Sequence, residues 1–318
     1  MRARYRHFAD SEAKGVSPLY VQLARTVSES DALLHYIATL PTAKQQPNLV
    51  FAAVRHLYGT PRDGQHFQEL VEHHQPAISA LILARSTQTN EPARCATLLP
   101  ALAQLPQPLA LLEVGASAGL CLLPDRWRYD YGRVRLEPRA HGMHQAPVFS
   151  CRANAATPLP DHMPEIVWRA GLDLNPLDLA NREDMAWLET LVWPGQEQRA
   201  ERLRAAVRVA QQPPTVVVAK GNLATDLQAV AATAPHDATL VIFHSAVLAY
   251  VARADRDRFI GEVRDLDAVW ISNESPGVIP QIATKLAVAP PTDRLLLAVD
   301  GKPVAFTGPH GQSIDWLD

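Results

Sequence analysis

Residues 1–106 carry apolar side chains at the three- and four-residue spacing of amphipathic helices. Ser17 and Pro18 mark a helix start, because serine caps a helix and proline fits its first turn. No convincing alternation of β-branched residues is found there. The pattern therefore predicts an all-α N-terminal domain over 1–106. The first predicted helix begins at Pro18. The other three cover 32–40 behind an Asp31 cap, 49–58 between Asn48 and Gly59, and 66–85.

Beyond a proline-containing linker at 105–108, short apolar runs alternate with helical segments. Such alternation is typical of a parallel sheet with helices on both faces. The last two runs are separated only by residues 300–303, whose Asp-Gly-Lys-Pro sequence favours an antiparallel hairpin. We therefore expect an α/β fold over 107–318, with a doubly wound, mostly parallel sheet, a C-terminal antiparallel hairpin and an insertion at about 124–164. The predicted strands cover 109–114, 165–172, 215–219, 239–243, 268–272, 295–299 and 304–306.

The most informative segment follows the first predicted strand and reads Glu-Val-Gly-Ala-Ser-Ala-Gly-Leu over residues 113–120. Glycines allow a sharp turn and let a ligand approach the main chain closely. The N–H groups of a following helix start can hold an anionic group. We therefore expect a strand, a tight turn and a helix, with a nucleotide-type ligand at the turn.

Residues 115–119 of this segment also match a second kind of site, the G-x-S-x-G nucleophile elbow of serine hydrolases. Ser117 would be the nucleophile, and His310 would follow it in the order that a catalytic triad requires. An α/β-hydrolase also needs several strands before the elbow, where this chain predicts helices. An intact G-x-G-x-x-G dinucleotide fingerprint is missing, so NAD is not expected.

Composition narrows the class of protein. The chain has 318 residues, a net charge of −3 and 47% hydrophobic residues, so it can bury a large core but has no strong attraction to nucleic acid or anionic membranes. Its three cysteines form no Cys-x-x-Cys pair, and His141 and His144 lack further ligands at zinc spacing, so we expect no metal.

Neither a secretion signal nor a membrane-spanning run is predicted. We expect a cytoplasmic protein whose partner is a small molecule, while the oligomeric state stays open.

Six segments of the sequence are informative together: 87–91, 113–120, 125–132, 171–178, 191–195 and 243–250. They resemble a bacterial family catalogued as domain of unknown function 2332. The matching segments run over nearly the whole chain. The resemblance implies a Rossmann-like fold similar to that of class I methyltransferases, which use S-adenosylmethionine.

The resemblance implies S-adenosylmethionine as the cofactor. The loop after the first strand would hold its methionine part, Asp173 would accept hydrogen bonds from the ribose hydroxyls, and Asn222 would bind the adenine amino group. Glu137 is an alternative to Asp173, because the chain between the first two strands is unusually long. Ser117 stands where the usual loop has its middle glycine. The implied cofactor-binding residues are Glu113, Gly115, Ser117, Gly119, Asp173 and Asn222.

A methyl group on sulfonium is already electrophilic, so a methyltransferase mainly aligns the acceptor and, if needed, removes its proton. His244 at a strand end is the first candidate for the base, and Glu274 is the second. Gln88, Asn90 and Tyr131 are candidates for contact with the acceptor. The sequence thus predicts methyl transfer to an unidentified small or medium-sized acceptor. A non-catalytic ligand sensor or scaffold stays open, because a fold does not fix a function.

Overall fold

The computed structural model of the chain describes residues 1–88, 90–138, 145–287, 289–291 and 293–317. The chain divides into two compact units. The first unit comprises Met1–Thr89 and Asn181–Glu201, and the second comprises Asn90–Ala180 and Arg202–Asp318. The first unit therefore includes Asn181–Glu201, which was predicted to belong to the second domain. Residues 90–106, predicted to belong to the N-terminal domain, lie in the second unit.

The α-helices of the first unit agree with the predicted helical N-terminal region. Ser17 caps α2 by accepting a hydrogen bond from the Tyr20 N–H. The predicted Asp31 cap is wrong, because Ser30 accepts the capping bond and Asp31 is the first helical residue. In chain order the α-helices of the described residues are α1 (Arg2–His7), α2 (Pro18–Glu29), α3 (Asp31–Ala38), α4 (Pro47–Tyr58), α5 (Gly64–Ala84), α6 (Cys95–Leu102), α7 (Arg182–Thr190), α8 (Glu197–Ala210), α9 (Leu227–Ala231), α10 (Arg253–Asp265) and α11 (Pro280–Ala283).

An aromatic cluster forms the core of the first unit. Phe51 of α4 lies at its centre, with its ring centroid 5.1 Å from that of Tyr20 and 5.4 Å from that of Phe67. Trp187 of α7 is fully buried in the same core. The apolar stripes predicted from the sequence therefore meet in one core. None of the helices in the described parts of the chain combines the length and the apolar composition needed to cross a bilayer.

A large, mostly parallel sheet organises the second unit. In the described residues it contains nine strands in the order β5-β12-β11-β10-β9-β8-β1-β6-β7, and a separate small sheet has the order β3-β2-β4. The strands are β1 (Leu109–Val114), β2 (Arg128–Asp130), β3 (Arg135–Leu136), β4 (Val148–Ser150), β5 (Arg152–Ala153), β6 (Ile166–Asp173), β7 (Val218–Lys220), β8 (Thr239–Ser245), β9 (Val269–Glu274), β10 (Leu295–Val299), β11 (Lys302–Thr307) and β12 (Ser313–Trp316).

Strand β1 lies at the centre of the parallel part. It pairs in parallel with β6 on one side and with β8 on the other. The chain extends the sheet from β1 through β6 to β7, then returns and extends it in the opposite direction through β8 to β9. The strand order therefore reverses at β1, and the carboxyl ends of β1, β6, β7, β8 and β9 lie along one edge of the sheet.

The predicted C-terminal hairpin is formed by β10 and β11, which pair antiparallel. Asp300 and Gly301 both have positive φ, 48° and 67°, as a tight two-residue hairpin turn requires. Strand β12 was not predicted; it pairs antiparallel with β11 and in parallel with β5 of the predicted insertion. Asp315 of β12 adds ion pairs to Arg152 and Arg294 at 3.2 and 2.8 Å.

One face of the large sheet packs against α9, α10 and α11. Leu112 of β1 and Ile242 of β8 are fully buried in this core, together with Phe259 of α10. Since side chains alternate along a strand, Glu113 lies on the opposite face from Leu112. Helix α6 of the same unit is buried along its whole length.

The helix predicted after the glycine loop is not formed. The chain instead makes two single 3₁₀ turns, Leu120–Leu122 and Pro124–Arg126. Pro124 has no backbone N–H and disfavours helical backbone in the residue before it, so it opposes continuation of the first turn. The Leu120 N–H donates to the Asn90 side-chain oxygen at 2.7 Å. The expected anion site at a helix start is therefore absent from this part of the described chain.

Candidate functional site

The loop at the carboxyl end of β1 has a left-handed backbone at three positions. The φ angles are 71° at Gly115, 52° at Ser117 and 73° at Gly119. A Cβ atom added to Gly115 would lie 2.5 Å from both Cγ atoms of Val247. Glycine is therefore required at 115 for two reasons, the backbone angle and the close packing of Val247, whose side chain fills the space above the loop.

Asp173, at the carboxyl end of β6, connects the neighbouring strand ends. Its Oδ2 accepts a hydrogen bond from the Ser117 N–H at 2.8 Å, and its Oδ1 accepts one from the Asn175 N–H at 2.8 Å. Its backbone oxygen accepts a bond from the Gly221 N–H at 2.9 Å. The predicted cofactor residues Ser117 and Asp173 are thus in direct contact, and the loop after β7 lies beside them.

Asn222 follows β7 at the same edge of the sheet. Its side-chain oxygen accepts a hydrogen bond from the Ala224 N–H at 2.9 Å, and its own N–H donates to Asp226 at 2.7 Å. These bonds fix a turn, and the Asn222 side-chain amide nitrogen makes no hydrogen bond within the described chain. Leu174, the residue after Asp173, is 57% exposed. Polar and apolar groups are therefore both presented at this edge.

Glu113, the penultimate residue of β1, is buried, with 4% of its surface exposed. Its Oε2 atom has no hydrogen-bond partner. Burial raises the pKa of the Glu113 carboxyl well above its usual range; Cys121 and Asp173 raise it further, and the positive charge of Arg94 opposes them. A buried oxygen without a partner is energetically unfavourable, so Glu113 is a candidate for contact with a ligand.

Arg94 is the last residue of the 3₁₀ turn Pro92–Arg94 and directly precedes α6, and 8% of its surface is exposed. Its Nε donates to the Pro309 backbone oxygen at 2.9 Å, and its Nη1 donates to the Ser245 backbone oxygen at 2.9 Å. Since Ser245 is the last residue of β8, these bonds hold a buried cation at the carboxyl edge of the sheet.

The two catalytic candidates are in contact, in a chain of three side chains. The Trp270 Nε1–H donates to His244 Nε2 at 3.1 Å, and His244 Nδ1 lies 2.8 Å from Glu274 Oε1. Indole nitrogen is only a donor, so Nε2 must accept and Nδ1 must carry the proton that is donated to Glu274. His244 is fully buried. Both of its nitrogens are thus occupied, and it has no surface on which to meet a substrate.

Glu274 is held at one oxygen only. Its Oε1 also accepts hydrogen bonds from the backbone N–H groups of Val247 and Leu248, at 2.9 and 3.1 Å. The preceding residue, Ala246, has φ of 54°, which turns these two N–H groups toward the carboxylate. The second oxygen, Oε2, is buried and has no partner. Of the two candidates, Glu274 is therefore the one with an atom that no group of the described chain holds.

The remaining predicted residues have structural partners, belong to the first unit or lie outside the described residues. The Tyr131 hydroxyl donates to the Ala96 backbone oxygen at 2.6 Å. Glu137 follows β3 of the small sheet and pairs with Arg128 at 2.7 Å, so Asp173 is the acid at the sheet edge. Gln88 lies in the first unit. His141 and His144 lie outside the described residues.

A family model of uncharacterised proteins conserved in bacteria matches residues 2–316. The chain belongs to this family, DUF2332. No curated protein and no solved structure matches the chain. The resemblance drawn from the sequence motifs is thus confirmed at the level of the DUF2332 family.

Sequence reasoning missed two members of the site in this DUF2332 chain. Arg94 was not assigned to the site from the sequence, although a single arginine before the buried segment of α6 is a signal for a paired or ligand-bound cation. Trp270 was seen only as a strand residue; its role depends on β8 and β9 being adjacent in the sheet, with His244 opposite Ser272.

Proposed function

We propose that the chain binds S-adenosylmethionine at the carboxyl edge of the large sheet and transfers its methyl group to a small or medium-sized acceptor. The observation that carries this proposal is the contact of Asp173 with the glycine-containing loop, through the Ser117 N–H. The strand order supports it, because the sheet reverses direction at β1, as doubly wound Rossmann-like sheets do. In such sheets ligands bind beyond the carboxyl ends of the strands at the reversal.

The residues at this edge suit the parts of the cofactor. Asp173 is the acid for the ribose hydroxyls, the exposed Leu174 offers apolar surface to the adenine, and the Asn222 amide lies at the next strand end. The unpartnered Oε2 of Glu113 suits a hydrogen-bond donor of the ligand. The fit has one requirement: the Val247 side chain fills the space above Gly115, so a ligand atom there needs Val247 in another rotamer.

The cofactor, when bound, supplies a methyl group on a positively charged sulfur. Transfer would form a bond between the acceptor atom and the methyl carbon while the sulfur–methyl bond breaks; its electron pair would stay on sulfur, which becomes a neutral thioether, and the acceptor would lose its proton. We assign the proton to Oε2 of Glu274, because Oε1 is fixed by His244 and two backbone N–H groups. His244 is a positioning residue in this proposal, since Trp270 fixes its tautomer and its donated bond orients the carboxylate.

Isothermal titration with S-adenosylhomocysteine tests the binding step. We expect saturable binding by the wild type and weaker binding by Asp173→Asn; no binding by the wild type overturns the proposal. Release of S-adenosylhomocysteine from S-adenosylmethionine, in the presence of pooled metabolite acceptors, tests turnover. Glu274→Gln should keep cofactor binding and lose turnover. Binding without turnover by the wild type would favour a ligand sensor.

The left-handed backbone at Ser117 is the feature that a nucleophile elbow requires. Two observations oppose that alternative: the loop leads into a 3₁₀ turn rather than an α-helix, and only 3% of the Ser117 surface is exposed. Labelling of Ser117 by a fluorophosphonate, together with failure to bind S-adenosylhomocysteine, would replace the methyltransferase proposal by a hydrolase.

A further inference from the structure

Arg94 and Glu113 are both buried, and both keep polar atoms without partners. The Arg94 guanidinium has two nitrogen–carbonyl bonds, while its Nη2 makes no hydrogen bond in the described structure. Glu113 Oε2 has no partner either. Arg94 is close enough to influence the charge of Glu113, yet the described structure contains no direct ion pair between them. A fully buried carboxylate oxygen without a partner and a guanidinium nitrogen that donates to no group of the described chain therefore belong to the same part of the second unit.

We propose that Arg94 and Glu113 form a subsite for a zwitterionic amino-acid group, with the ligand carboxylate on Arg94 and the ligand ammonium on Glu113. The inference rests on the proposed function, because the methionine end of S-adenosylmethionine is such a group. It goes further by assigning the two opposite charges of that end to two named side chains, one of which lies outside the sheet.

The positions of the two residues support a shared subsite. Glu113 of β1 is paired with Phe243 of β8, and Arg94 binds the backbone oxygen of Ser245 two residues further along the same strand. Two residues of a strand span about 7 Å. Both side chains are therefore held at neighbouring points of one edge of the sheet, beside the loop that begins at Gly115.

The charges of the two side chains also suit a ligand of this kind. The hydrogen-bond partners of the Arg94 guanidinium are neutral carbonyl oxygens, and a buried cation is unfavourable without a counter-charge. A carboxylate matches the planar guanidinium and its fork of N–H donors. On the other side, the titratable groups near Glu113 are Arg94, Asp173 and the Cys121 thiol. A ligand ammonium beside Glu113 would favour its ionised form, so binding should release a proton.

Two probes separate this subsite from the rest of the cofactor site. S-adenosylhomocysteine carries the amino-acid group, and 5′-methylthioadenosine lacks it. In Arg94→Gln we expect the affinity for S-adenosylhomocysteine to fall by about 10- to 100-fold, while that for 5′-methylthioadenosine changes by less than about threefold. Glu113→Gln should show the same selectivity, and its binding of S-adenosylhomocysteine should release fewer protons, measured by titration in buffers of different ionisation enthalpy.

Arg126→Gln is the matched control. Arg126 is also buried, with 5% of its surface exposed, and also donates to two backbone oxygens, of Gln212 and Pro214. A loss of affinity that comes only from disturbed packing should appear in Arg126→Gln and affect both probes alike. If Arg94→Gln does not fold, Glu113→Gln decides the matter alone.

The outcomes distinguish this inference from the proposed function. If the wild type binds both probes and neither variant discriminates between them, the subsite is wrong and the cofactor site stands. If the wild type binds neither nucleoside, the proposed function fails, and titration with free L-methionine tests the subsite. If the wild type binds methionine and Arg94→Gln does not, the proposed subsite is supported. If the wild type does not bind methionine, the proposed subsite is wrong as well.

Discussion

The packing of Val247 on Gly115 gives a quantitative test of the site geometry. Gly115→Ala would place a Cβ atom 2.5 Å from both Cγ atoms of Val247, on a backbone with φ of 71°. The left-handed backbone costs an alanine about 1–2 kcal/mol. Overpacking against Val247 adds about 1–3 kcal/mol. The free energy of unfolding should therefore fall by about 2–5 kcal/mol in Gly115→Ala.

Val247→Ala separates the two contributions. Alone, it removes two methyl groups from a half-buried side chain and should cost about 1 kcal/mol. In the double variant the steric part disappears and the backbone part remains. The double variant should therefore be about 1–3 kcal/mol more stable than the sum of the single effects predicts.

Equilibrium unfolding in urea, followed by circular dichroism, measures the four free energies of this cycle. Gly119→Ala is the control, because its φ of 73° is similar while its Cβ would lie 3.1 Å from Val218 rather than against Val247. Its effect should add to that of Val247→Ala without interaction. Strict additivity in the Gly115 cycle would show that Val247 does not occupy the space above the loop, and would refute the argument.

Three further predictions concern the buried polar groups. Burial raises the pKa of the Glu113 carboxyl in the folded state above its unfolded-state value of about 4.3. The protonated carboxyl therefore contributes fully to the free energy of unfolding below that pH, and this contribution is lost as pH rises through the folded-state pKa. The melting temperature of Glu113→Gln relative to wild type should therefore increase from about pH 5 to about pH 9, and a constant difference would contradict this. Trp270→Phe removes the donor to His244 Nε2 and should lower the free energy of unfolding by about 2–4 kcal/mol, measured in urea; a cost below about 0.5 kcal/mol would show that the bond is not formed. Asp173→Asn should lower the free energy of unfolding by about 1–3 kcal/mol. The two carboxylate oxygens accept one bond each, from the N–H groups of Ser117 and Asn175, whereas an amide has only one oxygen. Unchanged stability would mean that Asp173 does not hold Ser117 in this way.

The regular elements of the fold could be read from the sequence. The predicted strands 109–114 and 295–299 coincide with β1 and β10, because continuous apolar runs bounded by turn residues are a local signal. The Asp-Gly turn at 300–301 is equally local, since both residues tolerate the required positive φ.

Other features depended on distant parts of the chain. The 3₁₀ turn after Gly119 contains the apolar residues that suggested a helix, and Asn90 holds its start from a separate segment. Strand β12 is too short to show a clear alternation of polar and apolar residues, and it forms by pairing with β11 and β5. Periodicity carries no information on such contacts.

The candidate site was predicted in part for the same reason. Ser117 and Asp173 were placed at adjacent strand ends, and the structure brings them into hydrogen-bond contact. The sequence could not show that His244 is enclosed by Trp270 and Glu274, because that arrangement depends on which strands are neighbours. The roles assigned to these residues in binding and catalysis stay predictions.

The pairing of β5 with β12 has a consequence for synthesis of the protein on the ribosome. Residues 152–153 leave the exit tunnel long before their partner at 313–316 has been translated. About 160 residues separate the two, which at bacterial and eukaryotic elongation rates corresponds to roughly 10–30 s. During that interval the nascent polypeptide exposes an unpaired segment, so a translation pause before residue 313 should prolong its availability to chaperones or proteases.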